Sequence, residues 1–104
     1  MIELWNPLIQ FIHLAHVNQL GVNQILFKFP NGYGASILYG WVSYGFESGL
    51  FELAVIIFDE TGEWHLVNDT PITDDVVGYL SSQEVYDLLL QIKDLPPNQL
   101  LLEG

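Results

Sequence analysis

The chain contains no cysteine and no arginine. Without cysteine there is neither a disulfide framework nor a thiolate metal site, so folding rests on the apolar core alone. Lys28 and Lys93 are the only cations against 13 Asp and Glu, a formal net charge of −11. A protein that binds nucleic acid neutralises phosphates with Lys or Arg, and two lysines exclude direct binding to DNA, RNA or an anionic membrane. Long apolar runs are missing too: Met1 to Leu20 is broken by Glu3, Asn6, Pro7, Gln10, His13, His16 and Gln19 and has no basic leader. It reads as neither signal peptide nor membrane span, and a cytoplasmic location is expected.

What is present suits a folded chain. Half of the 104 residues are hydrophobic and 13% are aromatic, enough apolar surface to offset the conformational entropy of ordering them. The length fits one domain over residues 1–104. Charge of this sign steers a protein towards cationic surfaces; it also serves plain solubility.

Asn6 and Pro7 suit the N-cap and first position of a helix, and the apolar positions from Leu8 to Leu20 extend it to a stop at Gly21. Period-two alternation over Asn23–Pro30 places Ile25, Phe27 and Phe29 on one face and Gln24, Leu26 and Lys28 on the other. Asn31-Gly32 predicts a tight hairpin turn into a second strand from about Ala35 to Tyr44. The run from Leu50 to Phe58 predicts a central strand buried on both faces. Asp59-Glu60-Thr61-Gly62 reads as a turn before a short strand, Trp64 to Val67. Asp74-Asp75 opens a helical turn to Leu80, and Ser81 with Glu84 forms a capping box for a helix over Ser82–Asp94. The expected fold is α+β: a two-layer, four-stranded antiparallel meander with an N-terminal and a C-terminal helix on one face. Leu38, Val42, Ala54, Ile56 and Phe58 then leave the second face apolar, which a second copy of the chain or a partner would cover.

Constellations with chemistry are sparse. His13 and His16 lie three apart, neighbours on a helix, but a metal site needs a third ligand and the structural reading is the simpler. Asp59, Glu60 and Glu63 surround a glycine without the alternating ligands of a calcium loop. Asp69, Asp74 and Asp75 include a carboxylate pair, yet adjacent residues point apart and Asp at a helix start has a capping role. Neither a phosphate-binding P-loop nor a Gly-x-Ser-x-Gly elbow occurs. No catalytic residue, metal or cofactor is expected, and a hydrolase or metal enzyme would require His13, His16 or His65 to converge with a carboxylate. The distribution of charge is more telling. From Phe29 to Ile92 there is no Lys or Arg, while Glu47, Glu52, Asp59, Glu60, Glu63, Asp69, Asp74, Asp75, Glu84 and Asp87 fall in that span. Aromatics are interleaved, including Tyr33, Tyr39, Trp41, Trp64 and Tyr79; Tyr44 and Phe46, flanking Gly45, are the candidate surface anchors.

The stretches Tyr33-Gly34-Ala35-Ser36, Ser43-Tyr44-Gly45, Gly49-Leu50-Phe51-Glu52-Leu53-Ala54-Val55 and Asp69-Thr70-Pro71-Ile72-Thr73-Asp74-Asp75-Val76-Val77-Gly78-Tyr79-Leu80 resemble small acidic proteins encoded by bacteriophages and prophages. The resemblance covers about residues 33–95 and transfers no catalytic residues. It implies a protein of the host-cell cytoplasm that inhibits a basic, nucleic-acid-handling host protein, such as a CRISPR effector, in the manner of anti-CRISPR proteins and DNA mimics. On that reading Tyr44, Phe46, Glu47, Glu52, Asp59, Glu60, Glu63, Asp69, Asp74 and Asp75 meet the partner. The alternative is a structural or accessory phage protein acting as a homodimer.

Overall fold

The structure, a computed structural model, describes residues 2–19, 21–39, 51–67 and 76–97. A 3₁₀ helix over Ile2–Phe11 leads into β1 (Ile12–Val17), β2 (Asn23–Lys28), β3 (Tyr33–Tyr39), β4 (Phe51–Phe58), β5 (Trp64–Leu66) and β6 (Val77–Leu80), and α1 (Ser82–Lys93) follows. The fold is α+β with an antiparallel sheet ordered β1-β2-β3-β4-β5. Strands β5 and β6 share one edge of β4: β5 pairs with its Ile56–Phe58 half and β6 with Phe51 and Leu53.

The N-terminal helix does not run from Pro7 to Leu20; it ends as a 3₁₀ helix at Phe11, and Ile12–Val17 is an edge strand. A broad apolar arc is compatible with either period, and pairing with β2 decides in favour of the strand. His13 and His16 therefore lie on β1, with His13 at a register shift between Ile12 and Leu14. The four-stranded meander becomes a sheet of six, because β1 joins one edge and Val77–Leu80, read above as a helical turn, pairs with β4. Asp74 and Asp75 lie outside the described residues.

Three hairpin turns share one construction. In each, the N–H of the opening residue donates to the carbonyl of the residue four positions on: Asn18 to Val22, Phe29 to Tyr33, Asp59 to Glu63, at 2.8–2.9 Å. The residue before the closing one is Gly21, Gly32 or Gly62, each with φ between 78° and 89°, a region that favours glycine. Gly21 is thus a hairpin residue rather than a helix stop. Asn31 does not share the positive φ of Gly32, so this turn is a three-residue loop rather than the two-residue Asn-Gly turn.

One sheet face packs on the 3₁₀ helix and α1. Phe27, Ile37, Phe51, Leu53 and Val55 meet Trp5 and Leu8 from the former and Val85, Leu89 and Ile92 from the latter. Both helices cover the same face, as the sequence predicts. Trp5 is fully buried, edge-on to Phe51 at 5.3 Å between ring centres, and its indole N–H donates to the Ser82 carbonyl at 3.0 Å. That bond satisfies the polar end of a buried Trp and ties the two helices together. The capping box of α1 is complete: Ser81 Oγ accepts from the Glu84 N–H, and Glu84 Oε1 accepts from the Ser81 N–H.

The second face is not bare. Leu26, Ile56 and Phe58 form their own cluster and are at most 2% exposed. Ala54 is buried and Leu38 half-buried; Val42 lies outside the described residues. Leu26, Ala54, Ile56 and Phe58 are thus buried within one chain.

Candidate functional site

The β4–β5 hairpin gathers three of the acids singled out above. Asp59 Oδ1 accepts from the Thr61 N–H at 2.9 Å, the Thr61 hydroxyl at 2.6 Å and the Glu63 N–H at 3.1 Å. Its other oxygen, Oδ2, lies 2.8 Å from His65 Nε2. Asx-type bonding of this kind is why Asp opens such turns. The His65 bond above all, then the Thr61 hydroxyl, holds the Asp59 carboxyl well below the usual carboxylate range.

The sign of the pH dependence follows. A carboxyl more acidic in the folded than the unfolded chain adds stability that is present above its ordinary value of 3.8 and is lost as pH falls below it. Glu84 is lowered in the same direction, chiefly by its bond from the Ser81 N–H, and its contribution is lost as pH falls below its own ordinary value of 4.5. His65→Gln is expected to raise the Asp59 midpoint, and a carbon-detected NMR titration of the carboxyl resonances reads it directly. An unmoved midpoint would show that the Thr61 and Glu63 donors hold Asp59 without His65.

Ligand atoms of Asp59, Glu63 and His65 lie within 4.8 Å of one another. Two carboxylates and an imidazole are a donor set that suits a divalent transition ion. Each Asp59 oxygen already has an occupant, however: the turn takes Oδ1 and His65 takes Oδ2. The turn and the His65 hydrogen bond account for the convergence.

Around this hairpin Glu60 and Glu63 are exposed, and Trp64 and Leu66 on β5 are exposed beside them. Trp64 pairs with Phe58 and Leu66 with Ile56, so both lie on the second sheet face. Glu52 is half-buried near the opposite end of β4, roughly 23 Å from Asp59 at the rise of an extended strand. It does not belong to the hairpin patch. Tyr44, Phe46, Glu47, Asp69, Asp74 and Asp75 lie outside the described residues. Tyr79, 65% exposed, has φ 60° within a register shift of the β4–β6 pair. Its sequence signal was only the neighbouring Gly78.

Both cations are engaged by aromatic rings. Lys28 Nζ lies 5.0 Å from the centre of the Phe58 ring, and Lys93 Nζ lies 5.8 Å from that of Phe11, within cation–π range. Among the described residues the His65–Asp59 contact becomes an ion pair when the imidazole is protonated, and neither lysine meets a carboxylate.

A polar ladder crosses the second face. His16 Nε2 and Gln24 Oε1 are 2.7 Å apart, and Gln24 Nε2 donates to the buried Ser36 hydroxyl at 3.0 Å. The amide between them passes no proton from Ser36 to His16, and Ser36 is the acceptor in its bond. The ladder ties β1, β2 and β3 together and does not have the nucleophile–base geometry of an activated serine.

No protein-family model, curated protein or solved structure matches this chain. The class the fold defines is an α+β protein with an antiparallel sheet and a C-terminal helix. Among the described residues no helix is long and apolar enough to cross a membrane.

Proposed function

We propose that this protein is a non-enzymatic, phage-type inhibitor that acts in the host cytoplasm and occupies a basic, nucleic-acid-handling protein with its carboxylates. The observation that carries the reading is the uncompensated charge: 13 acids, with both lysines seated on aromatic rings and meeting no carboxylate among the described residues. Rigidly spaced carboxylates compete with phosphates for arginine-lined grooves through charge-assisted, often bidentate, hydrogen bonds. The exposed hairpin sets Trp64, a residue type enriched at the energetic centres of interfaces, beside Glu60 and Glu63, whose charge suits the rim around such an anchor. The resemblance read from the sequence over residues 33–95 implies the same class of partner, anti-CRISPR targets among them.

Affinity capture from a bacterial lysate with the immobilised chain tests this at low and high salt. The expected result is retention of a nucleic-acid-binding protein that is released by salt or by competing nucleic acid, and retained several-fold less by the Glu60→Lys, Glu63→Lys double variant. Recovery of no such protein, or retention indifferent to salt and to charge reversal, overturns the proposal.

A further inference from the structure

The two edges of the sheet are built differently. The β4 edge carries two short pieces, three residues of β5 and four of β6, the latter paired across a register shift. Short, bulged edge strands are a standard defence against unwanted pairing. The other edge, β1, is a six-residue strand, Ile12-His13-Leu14-Ala15-His16-Val17, with no proline and no charged residue, and residues 13–17 are all exposed. Its one irregularity, at His13, leaves Leu14 to Val17 in unbroken register with β2. Such an edge presents backbone donors and acceptors to another strand.

Charge identifies that strand. The 13 acids are not spread along the chain: apart from Glu3, all lie at Glu47 or beyond, and residues 4–46 contain no Asp or Glu. Strands β1, β2 and β3 therefore carry no carboxylate, whereas β4, the β4–β5 hairpin and α1 do. For two copies at −11 each, the β1 side is where approach meets the least repulsion.

Shape supplies the third observation. A pocket of about 390 Å³ opens beside the C-terminal half of β1, lined by Trp5, Ala15, Val17, Ile25, Tyr39 and Phe51 among others. Val17 is 61% exposed at its rim, and Ile9, on the 3₁₀ helix just before β1, is 38% exposed. Antiparallel pairing of two β1 strands about a twofold axis perpendicular to the sheet places the start of one strand against the end of the other. The same operation keeps the helix-covered faces on one side. The exposed Ile9 of each copy then arrives at the pocket beside the other's Val17, while Leu14 and His16 of both copies meet on the opposite face.

We propose that β1 is a self-association edge: a second copy of this chain pairs with it antiparallel, and each copy's Ile9 side seats against the other's Val17 pocket. The contact is isologous, as a twofold dimer requires, and both halves come from one patch. Strand pairing alone is small against the roughly 1,600 Å² of a standard interface, and the reciprocal helix–pocket contact supplies the apolar remainder.

Sedimentation equilibrium of the full chain over a concentration series tests this, together with Val17→Lys and Leu14→Lys. Both positions are exposed in one copy, so the fold tolerates the change, and circular dichroism confirms it. The expected species is twice 11.8 kDa, with dissociation at least tenfold easier in each variant. Because the copies repel, added salt tightens the dimer, whereas binding of a cationic partner weakens; failure of one proposal is thus distinguishable from failure of the other. A wild-type chain that stays at 11.8 kDa throughout, or a dimer that survives either substitution, overturns the inference.

Discussion

Asn31→Ala is expected to lower stability by about 2 kcal/mol, read as a fall in the urea midpoint without a change in slope. Asn31 sits in the β2–β3 turn, and its amide nitrogen donates to three carbonyls at the C-terminal end of α1: Ile92 at 2.9 Å, Lys93 at 3.1 Å and Leu95 at 3.0 Å. The last carbonyls of a helix have no partner inside it. With two hydrogens for three acceptors, one of these bonds is shared. The side-chain oxygen accepts from the Tyr33 N–H at 3.0 Å, so one residue both shapes the turn and closes the helix. At roughly 1 kcal/mol net per bond, discounted because the freed carbonyls are partly rehydrated, the loss is about 2 kcal/mol. In a chain of this size that lowers the thermal midpoint by about 8 °C. Asn31→Asp separates the two roles: it keeps the acceptor for Tyr33 but turns an anionic oxygen towards three carbonyls. It should be at least as damaging as alanine; near-wild-type stability would show that the turn, not the helix cap, is what Asn31 provides.

Gly34→Ala is expected to cost more, about 3 kcal/mol or above, and to leave little folded protein. A Cβ at Gly34 would lie 1.9 Å from the Phe27 carbonyl oxygen and 2.9 Å from Cε2 of Phe58. The aromatic ring can rotate, but the carbonyl belongs to a residue held between Ile12 and Ala35 in the middle of the sheet. Phe58 is fully buried, with Lys28 above it and His13 edge-on at 5.2 Å. The glycine is what lets its ring lie across the strand. Adding Phe58→Ala to Gly34→Ala removes the ring and leaves the backbone clash, so it should not restore folding. A dispersed amide spectrum for Gly34→Ala, or rescue by the double variant, would refute this.

Legibility in the sequence followed the range of the interaction. Ser81 and Glu84 sit three residues apart and read correctly as a cap because both partners are in the same turn. Period two over Asn23–Lys28 was readable because one face meets the helices and the other carries Leu26 and Lys28. Ile12–Val17 was misread: its apolar residues satisfy helical and extended patterns alike, and the deciding hydrogen bonds come from β2. Val77–Leu80 was misread for the same reason, since its partner, β4, lies more than twenty residues back. The acidic turn was legible from Asp59 and Gly62, but the approach of His65 to Asp59 depends on the hairpin register that places positions 59 and 65 side by side.

The scarcity of cations, and with it the expectation that nucleic acid is not a direct ligand, comes from composition alone. No arrangement of two lysines alters a net charge of −11. Only the tertiary structure decided how that charge is disposed. It seated both lysines on rings, placed the carboxylate-free strands β1, β2 and β3 on one side of the sheet, and among the described residues left β1 at its edge. The physical reason is that charge is counted along the chain, whereas compensation and exposure depend on which strands pair, and those pairings join residues far apart in sequence.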